Sequence, residues 1–119
     1  MDFENKQRII QEIVPGKQIT LAHIVAKPDA VLYRKLGLDP SVDYSSAAIG
    51  ILTMSPAEYA IIAADLAIKS SGAELGFVDR FSGTLIITGT ISQVEAALNA
   101  IIAHAGEKLG FTVCDVTRT

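Results

Sequence analysis

Ala73-Glu74-Leu75-Gly76-Phe77-Val78-Asp79-Arg80-Phe81-Ser82-Gly83-Thr84-Leu85-Ile86-Ile87-Thr88-Gly89 reads as two β-prone runs around a polar turn. Leu, Val, Ile, Phe and Thr carry both runs, and Gly83 supplies the glycine that a tight reversal favours. The stretch predicts a β-hairpin with its tip at Asp79 to Gly83. A helical pattern lies on each side of it, so the hairpin becomes the middle of a larger unit.

Upstream, Ser55-Pro56-Ala57-Glu58 has the spacing of a capping box, with Pro at the first helical position. Tyr59, Ile62, Ala63, Leu66 and Ala67 then recur at helical spacing until Ser71-Gly72. On this reading Ser55→Ala costs about 1 kcal/mol. Downstream, Ser92-Gln93-Val94-Glu95 reads as a second capping box. Its helix carries Val94, Ala97, Leu98, Ile101, Ile102 and Ala105 on one face and stops at Gly110. Ala48 to Met54 is apolar on both faces and predicts a central strand. Phe111 to Thr117 predicts the last strand. The order β-α-β-β-α-β is that of the ferredoxin-like split βαβ, an α+β fold with an antiparallel sheet.

The rest of the chain, residues 1–47, precedes this unit. Residues 1–7 are polar and predict a loose end. Arg8 to Val14 is a short strand candidate stopped by Pro15-Gly16. Lys17 to Ala26 is a longer one. Simple alternation puts Ile19, Leu21, His23 and Val25 on one face and Ala22, Ile24 and Ala26 on the other. Pro28 opens a short helix from Asp29 to Leu36, closed by Gly37. Residues 38–47 are rich in Pro, Ser and Asp and read as a surface connection. The division expected is an extension over residues 1–16 and one domain over residues 17–119.

The chain has 119 residues, which suits one domain. Half of it is hydrophobic, 19% is charged, and mean hydropathy is +0.38. No apolar run approaches the roughly 20 residues of a spanning helix, so the excess predicts apolar surface buried between subunits. A net charge of −3 and the absence of basic runs argue against nucleic acid and against an electrostatic membrane anchor. The first residues lack the basic start and apolar core of a secretory signal, which predicts a cytosolic protein. Cys114 is the single cysteine, so neither an intrachain disulfide nor a cysteine zinc site is expected.

Candidate chemistry is sparse. His23, His104 and Cys114 fall in different elements. A Cys-His nucleophile pair is imaginable, but the simpler reading of Cys114 is a small buried hydrophobe. Asp65, Glu95 and Glu107 are the candidate carboxylates; Glu95 is absorbed by its capping box, and Asp65 has i,i+4 spacing to Lys69. No His or Asp cluster has metal-ligand spacing, and phosphate-loop and dinucleotide glycine patterns are absent. The reading calls for no catalytic residue, no metal and no cofactor. The tip, Asp79, Arg80, Phe81, Ser82 and Gly83, is on its own a solvated turn. In a ring of subunits it becomes a rim around an axial opening.

Several of these residues carry a resemblance. Ala48-Ile49-Gly50-Ile51-Leu52, Ala63 to Lys69, Gly76 to Gly83 and the Gly89 to Ala97 helix start resemble bacterial microcompartment shell proteins. Ile10 to Ile24, with Val14-Pro15-Gly16-Lys17-Gln18, is similar to the circularly permuted shell proteins of the ethanolamine-utilisation S and propanediol-utilisation U type. The resemblance implies a permuted BMC domain. It also implies a homohexameric tile that packs with other shell proteins around the encapsulated enzymes of a catabolic pathway and limits small-molecule passage. The strand and helix moved to the front would be Lys17 to Ala26 and Asp29 to Leu36. The first strand, with Ile9, Gln11 and Ile13 on one face, would join its copies in an N-terminal β-barrel over the opening. Lys69 and Arg118 match tile-edge positions. Propanediol, ethanolamine and choline compartments use similar tiles, and the enclosed pathway stays open. The competing reading is a regulatory module of the same ferredoxin-like fold that binds a small molecule.

Overall fold

The computed structural model describes residues 16–38 and 47–119. The expected barrel strand, with Ile9, Gln11 and Ile13, and most of the 38–47 connection lie outside these residues. In chain order the elements are β1 (Gln18–Val25), α1 (Ala30–Lys35), β2 (Ala48–Ser55), α2 (Tyr59–Ser71), β3 (Glu74–Asp79), β4 (Thr84–Gly89), α3 (Ile91–Ala103), a single π turn (His104–Lys108) and β5 (Thr117–Arg118).

The sheet order is β3-β4-β2-β1-β5. Strand β2 pairs antiparallel with β1 and β4, β3 pairs antiparallel with β4, and β5 runs parallel to β1. The sheet is therefore mixed, not wholly antiparallel as expected. In the split βαβ order the last strand lies beside the first; here β1, from the front of the chain, fills that place next to β2. The permuted arrangement is thus visible in the strand order.

Strand β2 is apolar on both faces because both faces are covered. Ala48, Leu52 and Met54 join the core beneath α2 and α3, with Leu85, Ile87, Val94, Leu98 and Ile101. Ile49 and Ile51 turn the other way, toward Tyr33 and Leu38 at the short helix α1. The Tyr33 hydroxyl donates to the Ala47 carbonyl and ties that helix to the start of β2. Asp29 is its N-cap, accepting from Val31 N–H at 2.9 Å, and Gly37 follows its last turn at φ +70°.

Four local expectations change. The Ser55 capping box does not form: Ser55 still pairs with Gln18 in β2, and α2 starts at Tyr59 without a side-chain cap. Its first N–H groups, those of Tyr59, Ala60 and Ile61, donate to the carbonyls of Pro56, Ala57 and Glu58 instead. The penalty assigned to Ser55→Ala is withdrawn with it. The second box is Thr90 with Gln93, not Ser92 with Glu95. Thr90 Oγ1 accepts from Gln93 N–H at 3.1 Å, and Gln93 Oε1 accepts from Thr90 N–H at 2.9 Å. Strand β1 carries a bulge between Ile19 and Leu21, so Ile19 shares the core face with Ala22 and Ile24 while Leu21 is exposed. The expected strand from Phe111 to Thr117 shrinks to Thr117–Arg118 and one bridge between Thr112 and Gln18.

The helix α2 also turns its stripe. Ala60, Ala63, Ala64 and Ala67 are buried with Tyr59, while Ile61, Ile62 and Ile68 are about half exposed at 53%, 48% and 49%. Ile62 was expected inside. Alanine lets α2 lie close to the sheet and α3, and the bulkier isoleucines have no room on that side.

Gly50 reports how close that packing is. A Cβ there would lie 2.7 Å from Val94 Cγ1 and 2.9 Å from Ile87 Cγ1. Gly50→Ala is expected to destabilise the subunit by about 1–3 kcal/mol through overpacking. Gly16→Ala, where a Cβ meets nothing within 4 Å, is the control and should stay near wild type. Denaturation midpoints at one fixed protein concentration check both.

Candidate functional site

The hairpin tip is a small folded object. Asp79 closes β3 and is spent on the turn: its Oδ1 accepts from Phe81 N–H at 2.8 Å, its Oδ2 from the Ser82 hydroxyl at 2.8 Å, and its carbonyl from Gly83 N–H at 2.9 Å. Ser82 Oγ also lies 3.0 Å from Thr84 Oγ1. These bonds, the Phe81 N–H first, hold the Asp79 carboxyl below the ordinary carboxylate range. The tip is tied back to the sheet by Met54 N–H, which donates to the Gly83 carbonyl at 2.9 Å. Gly83 has φ +75°, and a Cβ there would sit 2.1 Å from the Met54 carbonyl oxygen, so only glycine fits.

The side chains of the tip stand outside this frame. Phe81 is 81% exposed, and the Arg80 guanidinium lies 5.0 Å from the centre of its ring, a cation–π distance. Ile61, Val78, Asp79, Arg80 and Phe81 line an open depression of about 290 Å³. Ser82 is exposed beside it, its hydroxyl committed to the turn.

The other predicted positions lie elsewhere. Lys69 is in the last turn of α2 and bonds Asp65 at 2.9 Å, both side chains largely exposed, as the i,i+4 spacing predicts. Arg118 was placed after the last strand; it lies within β5, paired with Ile24 of β1. The candidates for catalysis are apart from one another in their bonding. His23 offers Nδ1 to the Thr117 hydroxyl at 2.6 Å and Nε2 to that of Thr119 at 2.9 Å. His104 Nδ1 lies 2.8 Å from the Tyr59 hydroxyl, and Tyr59 also packs on Phe111 with ring centres 4.7 Å apart. Burial raises the Tyr59 hydroxyl above its ordinary value. Cys114 is half-buried against the main core. Glu95, freed from the cap assigned to it, is exposed on α3. Among the described residues no group of three or more His, Cys, Asp or Glu is placed to hold a metal, and no helix is long and apolar enough to cross a membrane.

Sequence reasoning missed the outward apolar set. Besides the three isoleucines of α2, Leu75 and Phe77 on the edge strand β3 are 44% and 46% exposed. A signal was present: α2 carries alanines on one stripe and isoleucines on another, and only one can face a tight core.

The model of one protein family, described as the BMC domain, matches residues 48–117. The bacterial microcompartment shell protein PduU of Salmonella typhimurium is 52% identical over 112 residues, covering 94% of this chain and 93% of that protein. The shell protein EutS of the same organism is 49% identical over 115 residues, covering 97% and 99% respectively. Among solved structures, the CutR flat hexamer, form 1, is similar with a TM-score of 0.82 at 42% identity, covering 89% of this chain and 94% of that one.

Two outcomes follow from the tip's geometry. Gly83→Ala should cost about 1–3 kcal/mol, since both the backbone angle and the Met54 carbonyl oppose it, whereas Phe81→Ala should stay within about 0.5 kcal/mol in the same denaturation series. The Asp79 contribution has the sign of a lowered carboxyl. It is complete above the ordinary value near about pH 4 and is lost as pH falls through the lowered one. Protection of the Phe81 amide, its exchange rate measured against the intrinsic rate at the same pH, should fall in that acid window, and Asp79→Ala should remove the difference between acid and neutral pH.

Proposed function

The chain belongs to the BMC-domain family of bacterial microcompartment shell proteins, and from that premise we propose that six copies close into one tile of a compartment wall. Its role is structural: it is a shell protein. The observation that carries this is likeness along nearly the whole chain to proteins named as shell proteins, including one solved as a flat hexamer. The outward isoleucines of α2 and the exposed Leu75 and Phe77 of β3 support it, because a lone subunit would leave that apolar surface in water.

The finer reading assigns parts to the tile. The tips, with Asp79, Arg80, Phe81, Ser82 and Gly83, ring the axial opening and present Arg80 and Phe81 to solutes that pass. Lys69 and Arg118 lie on the outer edge and join neighbouring tiles. The Lys69–Asp65 pair is exposed and worth about 0.3–0.5 kcal/mol, so the ammonium can leave Asp65 for a carbonyl on the next tile at small cost. Other shell proteins share the wall, and the enzymes of a catabolic pathway lie inside it, in the cytoplasm. No step of this work needs a reacting side chain or a cofactor.

Three measurements test the assignment. The native mass should be six times the 12.6 kDa chain; a stable dimer that binds a metabolite would instead favour a regulatory module. Lys69→Ala should leave that mass unchanged and reduce extended sheets in electron micrographs; undiminished sheets would remove Lys69 from the edge. Deleting residues 1–14 should also leave a hexamer, because every strand of the described sheet begins at Gln18 or later.

A further inference from the structure

The outer edge of β1 holds an arrangement that neither the tip nor the helix faces use. Strand β5 is two residues long and pairs only with His23 and Ile24. Two backbone bonds extend the contact: Thr119 N–H donates to the Ile24 carbonyl and Ala26 N–H to the Thr119 carbonyl, each at 2.9 Å. Thr117, Arg118 and Thr119 are all exposed. So short an edge strand, with no side chain in the core, opens readily unless something else holds it.

His23 is that hold. Its Nδ1 lies 2.6 Å from Thr117 Oγ1 and its Nε2 lies 2.9 Å from Thr119 Oγ1. Thr117 Oγ1 also lies 3.4 Å from the Ala22 carbonyl oxygen. Each ring nitrogen meets a hydroxyl that can donate or accept, so either tautomer of the imidazole can make both bonds. One imidazole thus spans Thr117 and Thr119, on either side of Arg118. Alternation along the strand sends Arg118 to the opposite face. Its pairing partner there, Ile24, is 1% exposed in the core beneath α2 and α3, so Arg118 stands at the helix-side rim of the sheet edge.

We propose that His23 is a positioning residue for tile-to-tile contact: it staples β5 to β1 and thereby holds Arg118 at the rim where the next tile is met. The proposal rests on the reading of Arg118 as an edge residue.

The test uses the full-length hexamer and two readouts, hydrogen exchange of the peptide containing residues 115–119 and sheet formation in electron micrographs. His23→Ala and Thr119→Val should each raise that exchange about tenfold at unchanged native mass, and should reduce sheets as Arg118→Ala does. His23→Gln, which keeps one donor and one acceptor, should restore much of both. The double variant of His23→Ala and Arg118→Ala should lose no more than Arg118→Ala alone. Unchanged exchange in both His23→Ala and Thr119→Val overturns the staple. Raised exchange with intact sheets, where Arg118→Ala abolishes them, overturns the positioning role. Intact sheets in Arg118→Ala would sink the edge reading and the positioning role with it, while the exchange data still decide the staple. Should His23→Ala fail to assemble, Thr119→Val, an exposed change outside the core, carries the same two readouts.

Discussion

Strand β2 is bonded along both edges and dry on the face it turns to the helices. Its neighbours β1 and β4 satisfy its backbone, which leaves that face free to be wholly apolar. The helix-side face then has to be roofed without voids. Gly50 lets Val94 of α3 descend onto the sheet, and the alanines of α2 let that helix lie beside it. Among the described residues no buried side-chain nitrogen or oxygen lacks a partner. The small residues are therefore the condition under which that face of a single strand can be covered in so short a chain.

That condition has a corollary on the outside. A helix that spends alanine on its inner face must carry its bulk elsewhere, and α2 carries it as Ile61, Ile62 and Ile68 facing out. These outward isoleucines count toward the mean hydropathy of +0.38 without being in the core. A subunit built this way is stable as a fold yet unsuited to being alone. Assembly in a shell wall is what such a surface asks for, and the likeness to a flat hexamer fits it.

Much of this was legible in the residues. The two-sided apolarity of Ala48 to Met54 and the hairpin depend on composition and alternation alone, and the Lys69–Asp65 pair depends on spacing alone. What was misread depends on phase. Thr90, two residues ahead of Ser92, caps α3 because Gly89 ends β4 there, and both Thr90-x-x-Gln93 and Ser92-x-x-Glu95 satisfy the same pattern. The bulge at Thr20 reverses the alternation in β1, and nothing in the sequence around Thr20 announces it. Helical spacing alone puts Ile62 in one stripe with Tyr59, Ala63 and Ala67, whereas the gap between α2 and the sheet admits the alanines and leaves Ile62 outside. The tip residues are legible as a turn, but their backbone tie to Met54 is a contact between distant segments that no local pattern contains.

The tip separates its frame from the groups it exposes. Asp79, the backbone of Gly83 and the Met54 N–H fix the path of the chain, while Arg80 and Phe81 contribute only their outer groups. Chemistry at such a place can be swapped without rebuilding what carries it. A substitution at Arg80 or Phe81 can therefore alter what the tip presents while its backbone path is kept, much as a lens is changed on an unaltered mount.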